Sequence, residues 1–240
     1  MSYFDDAKNL VGHAKTLFQK IKQTYDESLN EQKVNPSLLI DIKNLMENLR
    51  SALDFTAHGI FDKYGDKSYT GNIYFPYAWK DLDIVGYRSR NIIEKIPGLA
   101  NSRPDIAVKI ESYQYFSNPA NIWLPTFMDL NNENKHQRLT PQVRRETKQL
   151  NIKSGGASML LGQGASIRIG GGASIRIGNA IIQGGQTIDV NNPAEITGQA
   201  TQEVISWISF HFSSNNEAVI PFLNNALVGI EKIVNELSTI

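Results

Sequence analysis

The sequence predicts an α+β fold: a helical bundle with an inserted glycine-rich antiparallel β-meander and a C-terminal amphipathic helix that returns to the bundle. Three observations predict it. Apolar residues recur at helical spacing through the first half of the chain. A glycine-bounded unit then repeats with a period of 8 between residues 156 and 178. Helical spacing resumes over residues 217–238. The expected organisation is a bundle at 1–140, a β-rich insertion with GASxxxG repeats at 141–215, and a helix packing on the bundle at 216–240.

Residues 3–30 read as a long helix, because Leu10, Ala14, Leu17, Phe18, Ile21 and Tyr25 recur at spacings of three and four. Asn35-Pro36-Ser37 resets the chain. Asn35 or Ser37 can cap the next helix, and Pro36 suits a first turn. That helix, about 37–63, carries the clearest stripe: Leu38, Ile42, Leu45, Leu49, Leu53, Thr56 and Ile60, ended by Gly65. The two helices are expected to pack antiparallel.

Residues 66–84 hold Tyr69, Tyr74, Phe75, Tyr77 and Trp79 around Pro76 and read as an extended loop packed on the bundle. Helices follow at about 84–96 and 104–116, split by Pro97-Gly98 and Arg103-Pro104, and then at about 123–138. Val143 to Ile152 reads as extended. The repeat units Gly156–Gly162, Gly164–Gly170 and Gly172–Gly178 each read as a short strand between glycines able to take positive φ. Ile167 and Ile169 face one side while Ser166 and Arg168 face the other, the pattern of a half-buried sheet. A phosphate-binding glycine loop is rejected, since no Gly-Lys-Ser/Thr follows and no helix opens behind the glycines. Val204 to Phe212 alternates as a further strand, and 217–238 is the final amphipathic helix.

The chain has 240 residues, 41% of them hydrophobic, enough for a sizeable core. It has no cysteine, which excludes disulfides, thiol nucleophiles and Cys-ligated zinc. No apolar run approaches the ~20 residues of a membrane span, and Met1–Lys20 lacks the apolar core of a signal peptide. The cytoplasm is the expected location. Formal net charge is zero, yet residues 135–176 hold eight Lys/Arg against one acid, Glu146. Clustered cations attract phosphates; the same stretch can also complement the acidic last third of the chain.

Four histidines are present, His13, His58, His136 and His211, with no pair at metal-binding spacing. No metal and no cofactor are expected. Arg50, Asp54 and His58 lie at i, i+4 and i+8 on the second helix, beside its apolar stripe. They are either an exposed ion pair worth ~0.3–0.5 kcal/mol plus a surface histidine, or, if other elements cover them, a buried polar site. Asn131 and Asn134 fall on the apolar face defined by Phe127, and buried amides need partners. Beyond them lie His136 and the basic residues Lys135, Arg138, Arg144, Arg145 and Lys148. A histidine among cations suits acid–base cleavage of an RNA phosphodiester.

The order Leu49-Arg50-Ser51-Ala52-Leu53-Asp54 on one long helix, followed by Asn131-x-x-x-x-His136 at the end of a later one, resembles the HEPN superfamily of helical prokaryotic domains. It also resembles an uncharacterised bacterial group with a Leu-Arg-x-Ala-Leu-Asp helix and a later Lys-His pair, here Lys135-His136. The resemblance covers about residues 36–138. It implies a metal-independent ribonuclease of the toxin or antiphage kind, working as a homodimer. His136 would be the catalytic acid/base and Asn131 its positioning partner. Arg50, Lys135, Arg138, Arg144 and Arg145 would contact phosphate. On a straight helix Asn131 and His136 stand ~140° apart, so they would cooperate at a helix end or across a dimer. The rival expectation is a non-catalytic interaction protein. Its β insertion, with Arg168 and Arg176 beside one another, would bind a protein partner or self-associate by strand edges. A third class, a small-molecule enzyme with the aromatic 69–79 loop as lid, comes with no catalytic residues to nominate.

Overall fold

A computed structural model describes residues 2–30, 35–79, 81–136 and 142–240, with the backbone alone at 28–30, 134–136, 144 and 205–208. The fold is α+β, with a helical bundle and antiparallel strands. The chain divides into two compact units: Met1–Val143 with His211–Ile240, and Arg144–Phe210.

In the helical unit, α1 (Tyr3–Asn30) and α2 (Pro36–Tyr64) pack together, and α8 (Val219–Ser238) packs on both. Each buries a stripe at helical spacing: Ala7, Val11, Ala14, Phe18 and Ile21 on α1; Leu38, Ile42, Leu45, Leu49, Ala52, Leu53 and Ile60 on α2; Leu223, Leu227, Ile230, Val234 and Leu237 on α8. Asn35 caps α2, its side-chain oxygen accepting from Ser37 N at 3.0 Å, with Pro36 in the first turn. Gly65 closes the helix by donating to Phe61 O at 2.8 Å. His211 and Phe212 also belong to this unit. Phe212 N donates to Glu217 O at 2.9 Å, and the Phe212 ring meets Phe222 edge-on at 5.9 Å.

The region expected as a regular helix over 84–96 is three joined pieces: α3 (Ile84–Gly86), a π-helix (Tyr87–Ile92) and α4 (Ile93–Lys95). The wider π turn buries Tyr87, Asn91 and Ile92 together. After α5 (Leu99–Ser102), α6 (Pro104–Glu111) stops five residues short of the expected end. Gln114 turns its side chain back and donates from Nε2 to Ile110 O at 3.0 Å, satisfying the helix end. A 3₁₀ turn (Pro119–Ile122) leads to α7 (Trp123–His136), which packs on α2 and α8.

The β unit contains β1 (Gln142–Ser154) through β8 (Thr201–Phe212), both of which run into the helical unit at their outer ends. Its interior is built from Leu150, Ile152, Leu161, Ile169, Ile177, Ile182, Ile188, Val190 and Ala194. The repeat yields three strands: β2 (Ala157–Gly162), β3 (Ile167–Arg168) and β4 (Ser174–Ile177). These do not pair with one another. β2 pairs with β1, β3 with β6 (Thr187–Ile188), and β4 with β5 (Ala180–Gln183), all antiparallel; β5 also pairs with β7 (Ile196–Thr197).

What the repeat encodes is a turn. Gly156, Gly164 and Gly172 hold φ of 82°, 83° and 82°. Ala165 N and Ala173 N close the last two turns on Gly162 O and Gly170 O at 3.0 and 3.1 Å. A Cβ at any of the three would meet nothing. Gly178 differs: its φ is 54°, and an added Cβ would stand 2.0 Å from Ser154 O. Gly178→Ala is therefore expected to destabilise the β unit by more than about 2 kcal/mol, whereas Gly172→Ala costs about 1 kcal/mol of left-handed strain. Thermal unfolding of the two variants checks this; equal shifts would contradict it.

Candidate functional site

Arg50 and Asp54 share one face of α2 at i, i+4, and Arg50 Nε donates to Asp54 Oδ2 at 3.0 Å. Neither is an open surface residue, the side chains being 19% and 21% exposed. What covers them is the aromatic segment at residues 73–79, which passes over α2 without joining a sheet. A segment without a ladder must satisfy its backbone in another way. Here side chains do it. Asp54 Oδ1 accepts from Phe75 N at 2.9 Å. Gln114 Oε1 accepts from Ala78 N at 2.9 Å, and its Nε2 donates to Pro76 O at 3.3 Å. Tyr87 OH donates to Pro76 O at 3.1 Å, and Asn91 Nδ2 donates to Tyr77 O. Full burial, with Glu111 adding to it, pushes the Tyr87 phenol well above its usual range, so the hydroxyl stays a donor.

The clamped strap and the helical run after it enclose a hollow of about 270 Å³. It is lined by Arg50, Tyr74, Phe75, Tyr77, Trp79, Asn91 and Lys95. The Arg50 guanidinium carbon stands 5.5 Å from the Tyr77 ring centroid, and its Nη1 lies against Met128 Sδ of α7. Asp54, Tyr77 and Met128 thus fix the plane of the guanidinium, and no described residue bonds to Nη2. Lys95 Nζ lies 5.9 Å from the Tyr74 ring centroid. Among the described residues, no carboxylate lines this hollow. Asp54 pairs with Arg50, so among the described lining residues Lys95 is the cation without a paired carboxylate. Tyr74 and Trp79 are 41% and 42% exposed at its mouth. The arrangement can hold an anion by a rigid fork and an ammonium, and a flat ring against aromatic faces.

The residues picked out from the sequence separate. Arg50 lines the hollow and Asp54 pairs with it without lining the hollow itself, whereas the His58 ring stacks on Tyr3 of α1 at 5.2 Å and 25°. Asn131 is buried at 4% exposure on α7, one turn beyond Met128. Its Oδ1 has no hydrogen-bond partner among the described residues. Arg138 lies outside the described residues, as do the side chains of Lys135, His136 and Arg144. Arg145 is exposed on β1 and belongs, like Lys148, to the β unit. The basic stretch is thus divided between the two units. Lys95, Asn91 and Gln114 carry no sequence signal of a site; the density of aromatics over 69–79 was the only cue. Among the described residues, no three His, Asp or Glu are grouped to hold a metal ion, and no helix is long and apolar enough to cross a membrane.

Comparison with protein-family models, curated proteins and solved structures finds no match to this chain.

Proposed function

We propose that the helical unit binds RNA at the Arg50 hollow and cleaves it with His136 as the acid–base group. The observation that supports this reading is Arg50 itself. Its fork is held by Asp54, its face by Tyr77 and its edge by Met128, beside Lys95 in a hollow that no carboxylate lines among the described residues. Such a fork is built for phosphate oxygens. Met128 also ties Arg50 to α7, the helix that carries the buried amide of Asn131 and ends at His136. In the reaction a neutral imidazole takes the proton of a 2′-hydroxyl. That oxygen attacks phosphorus, the bond to the 5′-oxygen breaks, and the leaving oxygen takes a proton from water, to which the imidazolium returns the one it took. Arg50 and Lys95 offset the charge gathering on the phosphoryl oxygens.

The test is purified protein with a labelled single-stranded RNA in EDTA. Cleavage is expected for the natural chain and a loss of more than about a hundredfold for His136→Ala. Binding should weaken linearly in log salt, and Arg50→Gln or Lys95→Gln should each lower the slope by about 0.7. RNA that is neither bound nor cut would end the proposal.

A second reading draws on Leu160, 55% exposed on β2 at the edge of its sheet. An apolar edge strand can pair with another chain, so the β unit would bind a protein or a second copy. Binding that persists in high salt and is lost with Leu160→Lys would favour it.

A further inference from the structure

A second hollow, of about 580 Å³, adjoins the first. The two share Tyr74 and Lys95 as a common wall. Beyond that wall the second hollow has Tyr69 on one side, 37% exposed, and Ile93, 56% exposed, on another. Asn72 supplies an amide, and Glu94 a carboxylate with no ion pair among the described residues. The pair of hollows has a simple chemical logic. Cations stand at the first hollow and at the partition, aromatic faces stand in both, and the one carboxylate among the described lining residues, Glu94, stands on the far side. A phosphate is favoured at Arg50 and Lys95 and disfavoured near Glu94. An uncharged flat ring is accepted in either.

We infer that this face is a track for single-stranded RNA that takes two consecutive unstacked nucleotides, one base in each hollow, with Tyr74 between the bases and Lys95 on the phosphate that joins them. The inference rests on the proposal that the Arg50 hollow binds RNA phosphate. It adds the form of the substrate. Bases in a duplex are stacked and paired, and they cannot enter two pockets separated by a tyrosine ring without leaving the helix. Stacking on aromatic side chains is tolerant of sequence, so the track selects single strands more strongly than it selects bases. The strap that carries Tyr74 and Trp79 is held by Asp54, Gln114, Tyr87 and Asn91, so the first hollow is formed before ligand arrives.

The experiment is titration calorimetry on the full chain carrying His136→Ala, so that ligand is not consumed. The ligands are uridine 3′-monophosphate, the dinucleotide and trinucleotide of uridylate, a blunt RNA duplex, and a DNA strand equal in length to the trinucleotide. Affinity is expected to rise at least tenfold from mono- to dinucleotide and less than threefold from di- to trinucleotide. Tyr69→Ala, at a residue that lines the second hollow and not the first, should abolish the tenfold gain and leave the mononucleotide within twofold. The duplex should bind at least tenfold more weakly than the trinucleotide. No gain at the second nucleotide, a gain that survives Tyr69→Ala, or duplex binding equal to single-strand binding would each overturn the track. The DNA strand binding as RNA does would support a track that reads phosphate and base and makes no use of the 2′-hydroxyl. Failure here is separable from failure of the proposed function. RNA cut with dependence on Arg50 and His136 but without the dinucleotide gain removes the track alone. The dinucleotide gain in a protein that cuts no RNA removes the cleavage and keeps the track.

Discussion

Gln114→Leu is expected to lower the unfolding temperature by roughly 5–15 °C and to open the aromatic strap. Gln114 is fully buried, and its one amide group serves Ala78 N, Pro76 O and Ile110 O. Leucine fills similar space but offers neither donor nor acceptor. The amide of Ala78 is then buried without a partner, a desolvation cost of about 1–3 kcal/mol beyond the lost bonds. Pro76 O keeps the Tyr87 hydroxyl. The total, about 2–4 kcal/mol, converts at about 2–4 °C per kcal/mol for a unit of this size. Hydrogen exchange at Ala78 should accelerate with it. An exposed control, Gln183→Leu in the β unit, should stay within about 0.5 kcal/mol of the natural chain. If both variants melt alike, the strap is not held as described.

Arg50→Lys should weaken RNA binding by about tenfold to a hundredfold although the charge is unchanged. A lysine at 50 is a point charge within reach of Asp54 at i, i+4, and it would fold onto that carboxylate. It would forfeit the planar contact with Tyr77 and the Nη2 donor, to which no described residue bonds. Hydrogen bonds to a charged partner contribute about 1.5–3 kcal/mol each, and about 1.4 kcal/mol is a factor of ten. The unfolding temperature should move little, because the ion pair with Asp54 is rebuilt. Full affinity in Arg50→Lys would mean that charge alone is read, and the fork would have no part in recognition.

Much of the fold is legible in the sequence because it rests on local rules. The α2 stripe from Leu38 to Ile60 is a 3.6-residue periodicity, and its ends are written as Asn35-Pro36 and Gly65. The repeat glycines are likewise local: positions 156, 164 and 172 announce positive φ at a period of 8, and they have it. What the repeat does not announce is pairing. Strands of two to six residues take their partners from whatever buries Ile169, Ile177 and Ile182 in one interior, a decision made across the whole unit. The π turn at Tyr87–Ile92 is hidden for a similar reason, since it is selected by the joint burial of Tyr87, Asn91 and Ile92.

Half of the candidate site was legible. Arg50 and Asp54 are visible as an i, i+4 pair, and the burial of Asn131 follows from its place on the face of Phe127. His58 lies two turns beyond Arg50 and ends beneath Tyr3 instead. The remainder comes from contacts between distant residues: Gln114 to Ala78 across 36 positions, Asp54 to Phe75 across 21, and Arg50 to Met128 across 78. None leaves a periodic trace. The aromatic run over 69–79 was the visible half of the arrangement, and the polar side chains that fix it were the invisible half.

The claim at the centre is that His136 and Arg50 serve one reaction on RNA. It is tested most directly by inducing the natural chain, His136→Ala and Arg50→Lys at matched expression in cells, and following growth and the integrity of total RNA. The expected result is arrest with fragmented RNA for the natural chain and intact RNA with normal growth for His136→Ala, Arg50→Lys falling between them. Intact RNA and unimpaired growth in all three, from soluble protein that binds no RNA when purified, would contradict it.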